Sequence, residues 1–188
     1  MPGYFQTAAE GGAAVALDEV EISILRSLAV QLLELIGPGD TADDTEPADP
    51  LARLFAEGPT RPPKDPALAR LFPDAYEEEA DSSEFRRYTE NDLRARKRDD
   101  ALAVVRSLDT LTSGGSGAAV LSLDTGQARQ WLGTLNDLRL TMGSRLEVSE
   151  DEDNELYRLP DSDPRKPLVM AYLWLGALQE SLVETLMP

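Results

Sequence analysis

The sequence predicts a mainly α fold, a compact bundle of about five or six helices with a small N-terminal β-hairpin, as a single domain over residues 1–188. Three observations carry this. Apolar residues recur at helical spacing in the stretches that begin near Asp18, Glu90, Asp124 and Pro164. Aspartates stand just ahead of several helical stretches, where a carboxylate can accept from the free amides of a first helical turn. A turn signal between two short strand-like runs occurs at the N-terminus, over residues 4–17.

The hairpin pairs Tyr4–Ala8 with Ala13–Leu17 around Glu10-Gly11-Gly12. A first helix starts at Asp18, with Glu19 and Glu21 complementing its positive end. Its apolar face comprises Leu17, Val20, Ile24, Leu25, Leu28, Leu32, Leu35 and Ile36, and Gly37-Pro38-Gly39 ends it. Residues 38–49 form an acidic loop. An internal echo follows: Asp49-Pro50-Leu51-Ala52-Arg53-Leu54-Phe55 and Asp65-Pro66-Ala67-Leu68-Ala69-Arg70-Leu71-Phe72 each place Asp as a cap and Pro in the first turn. Each predicts a short helix docking through Leu and Phe. A second acidic loop covers 74–83. Beyond it lie a short helix at Glu84–Tyr88 and a main helix from about Glu90 to Leu111, divided by a cap at Thr89-Glu90-Asn91-Asp92. Its inner side reads Leu93, Lys97, Ala101, Val104, Val105, Leu108 and Leu111, with the Lys97 ammonium left in water.

Ser113–Gly117 is a flexible connection, and Ala119–Leu123 a short strand or extended arm. Asp124 caps a helix carrying Ala128, Trp131, Leu132, Leu135, Leu138, Met142 and Leu146 on one side. A third acidic loop spans 148–163. The last helix, from about Pro164–Pro167, is apolar nearly all round in its first half, so it is either the central core helix or part of a dimer interface. The helices starting near Asp18, Asp124 and Pro164 are expected to form the core.

Chemistry is bounded from below by what is missing. The chain has no cysteine and no histidine, which removes disulfides, thiol redox switching, zinc-thiolate sites and the usual nucleophile and general base. An enzyme would need an unusual base, such as Lys97, Lys64 or a buried Glu. Gly114-Gly115-Ser116-Gly117 lacks the Gly-Lys-Ser/Thr ending of a phosphate loop. Asp151-Glu152-Asp153-Asn154-Glu155 lacks the spacing of a calcium loop. No cofactor, metal or catalytic residue is expected. No signal peptide or membrane span is read, and a cytoplasmic location is expected.

The formal net charge of −17, from 35 acidic and 18 basic side chains, disfavours phosphate backbones and anionic membranes and suits a basic protein partner. Against it stand Arg86, Arg87, Arg94, Arg96, Lys97 and Arg98, the candidate partner-binding residues. Glu84, Glu90, Asp92, Asp99 and Asp100 accompany them at ion-pair spacing. The stretch therefore reads as a salt-bridged helix face or a receiver for an acidic segment of this chain or a partner, with a DNA-facing patch as the alternative.

Five stretches, in order, resemble one actinobacterial family, the AosR-like oxidative stress transcriptional regulators, formerly a family of unknown function. They are Glu21–Leu28 with Gln31–Leu35; Asp65–Tyr76; Glu84–Arg87 leading into Asp92–Lys97; Trp131-Leu132 with Leu135–Leu140; and Trp174–Gly176 with Leu178–Val183. The resemblance implies a cytoplasmic regulator that contacts a sigma factor or an RNA polymerase component in the response to oxidants, with no catalytic residues to carry over. The cysteine-based sensing credited to that family has no residue to work with here. Methionine oxidation is the remaining sulfur chemistry, and Met142, Met170 and Met187 are expected to be structural. A homodimer is left open, and a DNA-binding regulator or a cryptic hydrolase are the alternative functions.

Overall fold

The computed structural model describes residues 3–8, 11–38, 58–111, 118–148 and 155–187. Nearly all of the expected acidic loop at 38–49, the first copy of the internal echo, the glycine-rich connection and the acidic run 150–153 lie outside the described residues. Among those described are five α-helices and three strands: β1 (Gln6–Thr7), β2 (Ala13–Leu17), α1 (Glu19–Ile36), α2 (Pro66–Leu71), α3 (Glu79–Asp109), β3 (Ala119–Leu123), α4 (Thr125–Arg145) and α5 (Lys166–Leu186). A 3₁₀ turn covers Glu155–Arg158. The fold is mainly α with a small N-terminal hairpin, as the periodicity predicts.

The expected hairpin gains a third strand. β2 pairs antiparallel with both β1 and β3, and Ala13 faces Leu123 while Val15 faces Leu121. These alternate side chains share the sheet face that closes over the helices, and all four are buried. Gly12 has φ +85°, and a Cβ there would stand 2.2 Å from the Leu123 carbonyl oxygen, so the turn into β2 requires glycine.

The aspartate caps form as expected. Asp18 accepts from the Glu21 amide while the Glu21 carboxylate accepts from the Asp18 amide, and Asp124 makes the same reciprocal pair with Gln127. Asp65 accepts from the amides of Ala67 and Leu68 ahead of Pro66.

The core lies where α1, α3, α4 and α5 pack in succession beneath the sheet. Trp131 is its largest buried side chain; its ring meets Phe5 edge-on at 5.9 Å and its Nε1–H donates to Ser107 Oγ at 3.0 Å. The Phe5 amide in turn donates to Ser181 Oγ at 3.1 Å, tying the first strand region to the last helix. A smaller cluster of Leu146, Leu156, Leu159 and Val169 joins the end of α4 to the start of α5.

Several expectations need correction, among them the inward place given to Leu93, which is exposed on α3. The residues from Glu79 to Asp109 form one helix, so the acidic stretch 74–83 is half loop and half helix, and the expected cap at Thr89 does not exist. Thr89 Oγ1 donates instead to the Phe85 carbonyl one turn back, inside an unbroken helix. α3 is also a core helix, through Ala101, Val104, Val105 and Leu108, beside the three that were expected. Val20 and Ile24 are exposed on α1, where Ala29 takes the inward place, and Leu28 is only half-buried. Finally, α5 is not enclosed all round: Leu175, Leu178 and Leu182 lie in the core, but Met170 and Leu173 are exposed on the side that α4, the hairpin and the 3₁₀ turn leave open. Among the described residues no helix is long and apolar enough to cross a membrane.

Candidate functional site: the N-terminal half of the long helix

The six candidate basic residues, Arg86 to Arg98, all lie on α3, but helical geometry turns them in different directions. Ser82, Arg86, Glu90 and Arg94 recur at every fourth position and form a buried polar stripe. Glu90, 3% exposed, lies between two guanidiniums. Arg86 Nη1 donates to its Oε2, while Arg94 donates to its Oε1 through Nη2 at 2.7 Å and Nε at 2.9 Å. Burial works against the charge on Arg86, but the bonds to Asp74 and Glu90 outweigh it and hold its pKa above the ordinary value.

The outer ends of these guanidiniums clamp neighbouring segments. Arg86 Nη2 donates to the Phe72 carbonyl at 3.0 Å and to Asp74 at 2.8 Å. Arg94 stacks over the Phe72 ring at 4.4 Å and donates to the Ile36 carbonyl. Arg98 donates to the Leu33 carbonyl at 3.2 Å. The last turn of α1 has no basic residue of its own; Arg94 supplies a donor to the Ile36 carbonyl, and Arg98 shares the Leu33 carbonyl with the Gly37 amide. The Gly58 amide donates to the Arg87 carbonyl at 3.1 Å, and a Cβ at Gly58 would stand 2.4 Å from that oxygen.

Lys97 does not keep its ammonium in water. It pairs with Asp137 of α4 at 2.7 Å, and the Asp137 side chain is 5% exposed. Burial pushes the Asp137 carboxyl above its ordinary range, and the Lys97 bond only partly offsets this. Burial likewise raises Asp100, against the opposing bond from Gln130. The inward run Thr134, Asp137, Thr141 on α4 is the sequence signal that could have revealed a partner for Lys97. Arg87 is half-buried with its guanidinium 5.5 Å from the centre of the Tyr88 ring. Of the six, Arg96 alone is exposed.

The outer side of the same half-helix has a different character. Tyr76, Phe85 and Tyr88 are 53%, 46% and 65% exposed, and Tyr76 meets Phe85 edge-on at 5.7 Å. The segment bearing Tyr76 is fixed to the helix, since the Tyr76 amide donates to Ser82 Oγ and the Ser82 hydroxyl donates to the Tyr76 carbonyl. Sequence reasoning missed these aromatics because the expected helix break at Thr89 separated them from the main helix.

Elsewhere, a cleft of about 320 Å³ runs beside β3 and has Arg106 as its one charged lining side chain. Among the described residues no group of three or more potential ligands could hold a metal ion. Met142 is buried, as expected of a structural residue, but Met170 and Met187 are 55% and 68% exposed.

The family model described as "Domain of unknown function (DUF2017)" matches residues 3–186. The chain is 32% identical over 183 residues to the oxidative stress regulator AosR of Mycobacterium tuberculosis H37Rv, covering 89% of this chain and 78% of that protein. AosR of Mycobacterium bovis gives the same figures. A relative from Mycobacterium leprae is 29% identical over 181 residues, covering 89% of this chain and 79% of its own length. No solved structure matches. The named relatives are oxidative stress regulators. With its sequence matched almost from end to end, this chain belongs to the DUF2017 family and is a homologue of the AosR oxidative stress regulators.

Proposed function

We propose that this chain is a non-enzymatic, cytoplasmic transcription regulator. It acts by contact with a protein of the transcription machinery, a sigma factor or an RNA polymerase component, and without cysteine-based sensing. The observation that supports protein over DNA as the partner is the fate of the basic stretch. Arg86 and Arg94 are buried against Glu90, Lys97 is paired with Asp137, and Arg98 is committed to a helix carbonyl. Cations bound inside the fold cannot displace counterions from phosphates, and a net charge of −17 adds repulsion. Arg96 is the member of the stretch most open to a partner.

The test pairs two measurements on the purified chain. Retention by purified RNA polymerase holoenzyme or an isolated sigma factor is the expected result. In gel-shift assays across a salt series, no tight DNA complex is expected. A tight shift that weakens steeply with salt and depends on Arg96 would replace this reading with a DNA-binding one.

A further inference from the structure

The outward face of the first half of α3 carries Asp81, Phe85, Tyr88 and Asp92 at positions i, i+4, i+7 and i+11. That spacing keeps one side of a helix, and the row is roughly 16 Å long at 1.5 Å per residue. Two aromatic side chains stand at its centre and a carboxylate at each end. Tyr76 widens the centre by its edge-on contact with Phe85. Glu77, Glu78, Glu79 and Glu84 lie around it, all exposed and none in an ion pair among the described residues. Asp74, the other acid of this segment, is already paired with Arg86.

Scattered exposed apolar side chains are ordinary, but a contiguous aromatic group on a fixed platform is a recognised form of contact surface. Its platform is the buried stripe beneath it: Ser82 holds the Tyr76 backbone, and Arg86 holds Phe72 and Asp74. The backbone that carries the three rings is therefore held in place before any partner arrives, which lowers the entropy lost on binding.

We infer that this face docks a basic amphipathic segment of another protein, one with an apolar side chain between lysines or arginines. The aromatic centre takes the apolar residue and the stems of the basic side chains; the surrounding carboxylates take their charges. Cations over Tyr88 and Tyr76 add a further attraction, as Arg87 already illustrates at Tyr88. A nucleic acid is excluded from this face by the sign of its charge. The inference rests on the reading of the chain as a protein-contact regulator and assigns that contact a surface.

A fluorescent 14-residue peptide of leucine and lysine, patterned as an amphipathic helix, provides a probe that needs no knowledge of the natural partner. Titration into the ¹⁵N-labelled full chain should shift amide signals concentrated between residues 76 and 93, with a glutamate-for-lysine peptide giving none. Phe85→Ala and Tyr88→Ala should each weaken binding at least fivefold, and their combination at least twentyfold, with circular dichroism and Tm unchanged. Tyr4→Ala, at an exposed aromatic on the N-terminal segment, should leave affinity unchanged. Shifts spread evenly over all acidic segments, or equal affinity of the double variant, would overturn the inference. Holoenzyme retention by that double variant at wild-type strength would reject this surface while leaving the proposed function standing. Loss of retention by the wild-type chain would reject the function alone.

Discussion

Between Glu79 and Arg94 the buried side of α3 is Ser82, Arg86, Glu90 and Arg94; from Ala101 to Leu108 it is Ala101, Val104, Val105 and Leu108. One helix thus docks by two kinds of chemistry in succession. The apolar half gains free energy from any close-packed hydrocarbon and tolerates modest changes of shape. The ionic half pays desolvation for every charge and is retained only while each partner is in place. In exchange it fixes geometry: the guanidiniums of Arg86 and Arg94 reach backbone carbonyls at Phe72 and Ile36 that a leucine could not engage. The contrast teaches that the half bearing the exposed aromatics is the half held by directional bonds.

The largest effect that could break this comparison is at Glu90. Glu90→Ala strands two buried guanidiniums and should cost about 3–5 kcal/mol in urea unfolding. A cost below 1 kcal/mol would mean that water reaches the stripe. Leu108→Ala, in the apolar half, should cost about 2–5 kcal/mol through lost burial and a residual cavity. Unlike Glu90→Ala, it should leave the hydrogen-exchange protection of the last turn of α1 largely intact after correction for global stability.

A subtler contrast comes from pH. The Asp137 carboxyl is raised by burial, so the native state holds its proton more tightly than the unfolded chain. Stability from this group is therefore greatest below the ordinary carboxylate pKa of 3.8 and declines as pH rises through the raised native value. Asp137→Asn should remove that decline, so wild type minus variant stability falls with pH over this window. A difference that rises with pH would show that the Lys97 pair dominates burial. The smallest effect is expected for Arg96→Ala, within about 0.5 kcal/mol in the same assay, because its side chain is exposed.

Much of this architecture was legible in the chain. The caps at Asp18, Asp65 and Asp124 are local chemistry, decided within three residues, and they mark true helix starts. The apolar rows of α4 and most of α1 are equally plain. The first half of α3 was not, because its period is written in Arg and Glu rather than in hydrocarbon. A hydrophobicity pattern has no signal there, and Thr89 with Asp92 imitates a helix start. Ion-pair spacing did suggest a salt-bridged face, but not that Glu90 serves Arg86 and Arg94 together or that the pairs are buried. That depends on Phe72 and Ile36 arriving from distant parts of the chain. The exposure of Val20, Ile24, Met170 and Leu173 was illegible for the complementary reason: helical periodicity names a face without saying which element covers it.

The hydrogen bond from the Phe5 amide to Ser181 has a consequence for the order in which the molecule can be completed. Its partners are 176 residues apart, so a ribosome must release nearly the whole described chain before the bond can close. Phe5 also waits for Trp131, and β2 waits for β3. The hairpin strands can pair with each other early, but they are among the last to be covered, because the free edge of β2 stays open until β3 has been made. The alanine-rich, weakly strand-forming sequence of β2 suits that delay, since it gives an unfinished chain little reason to pair with a neighbour.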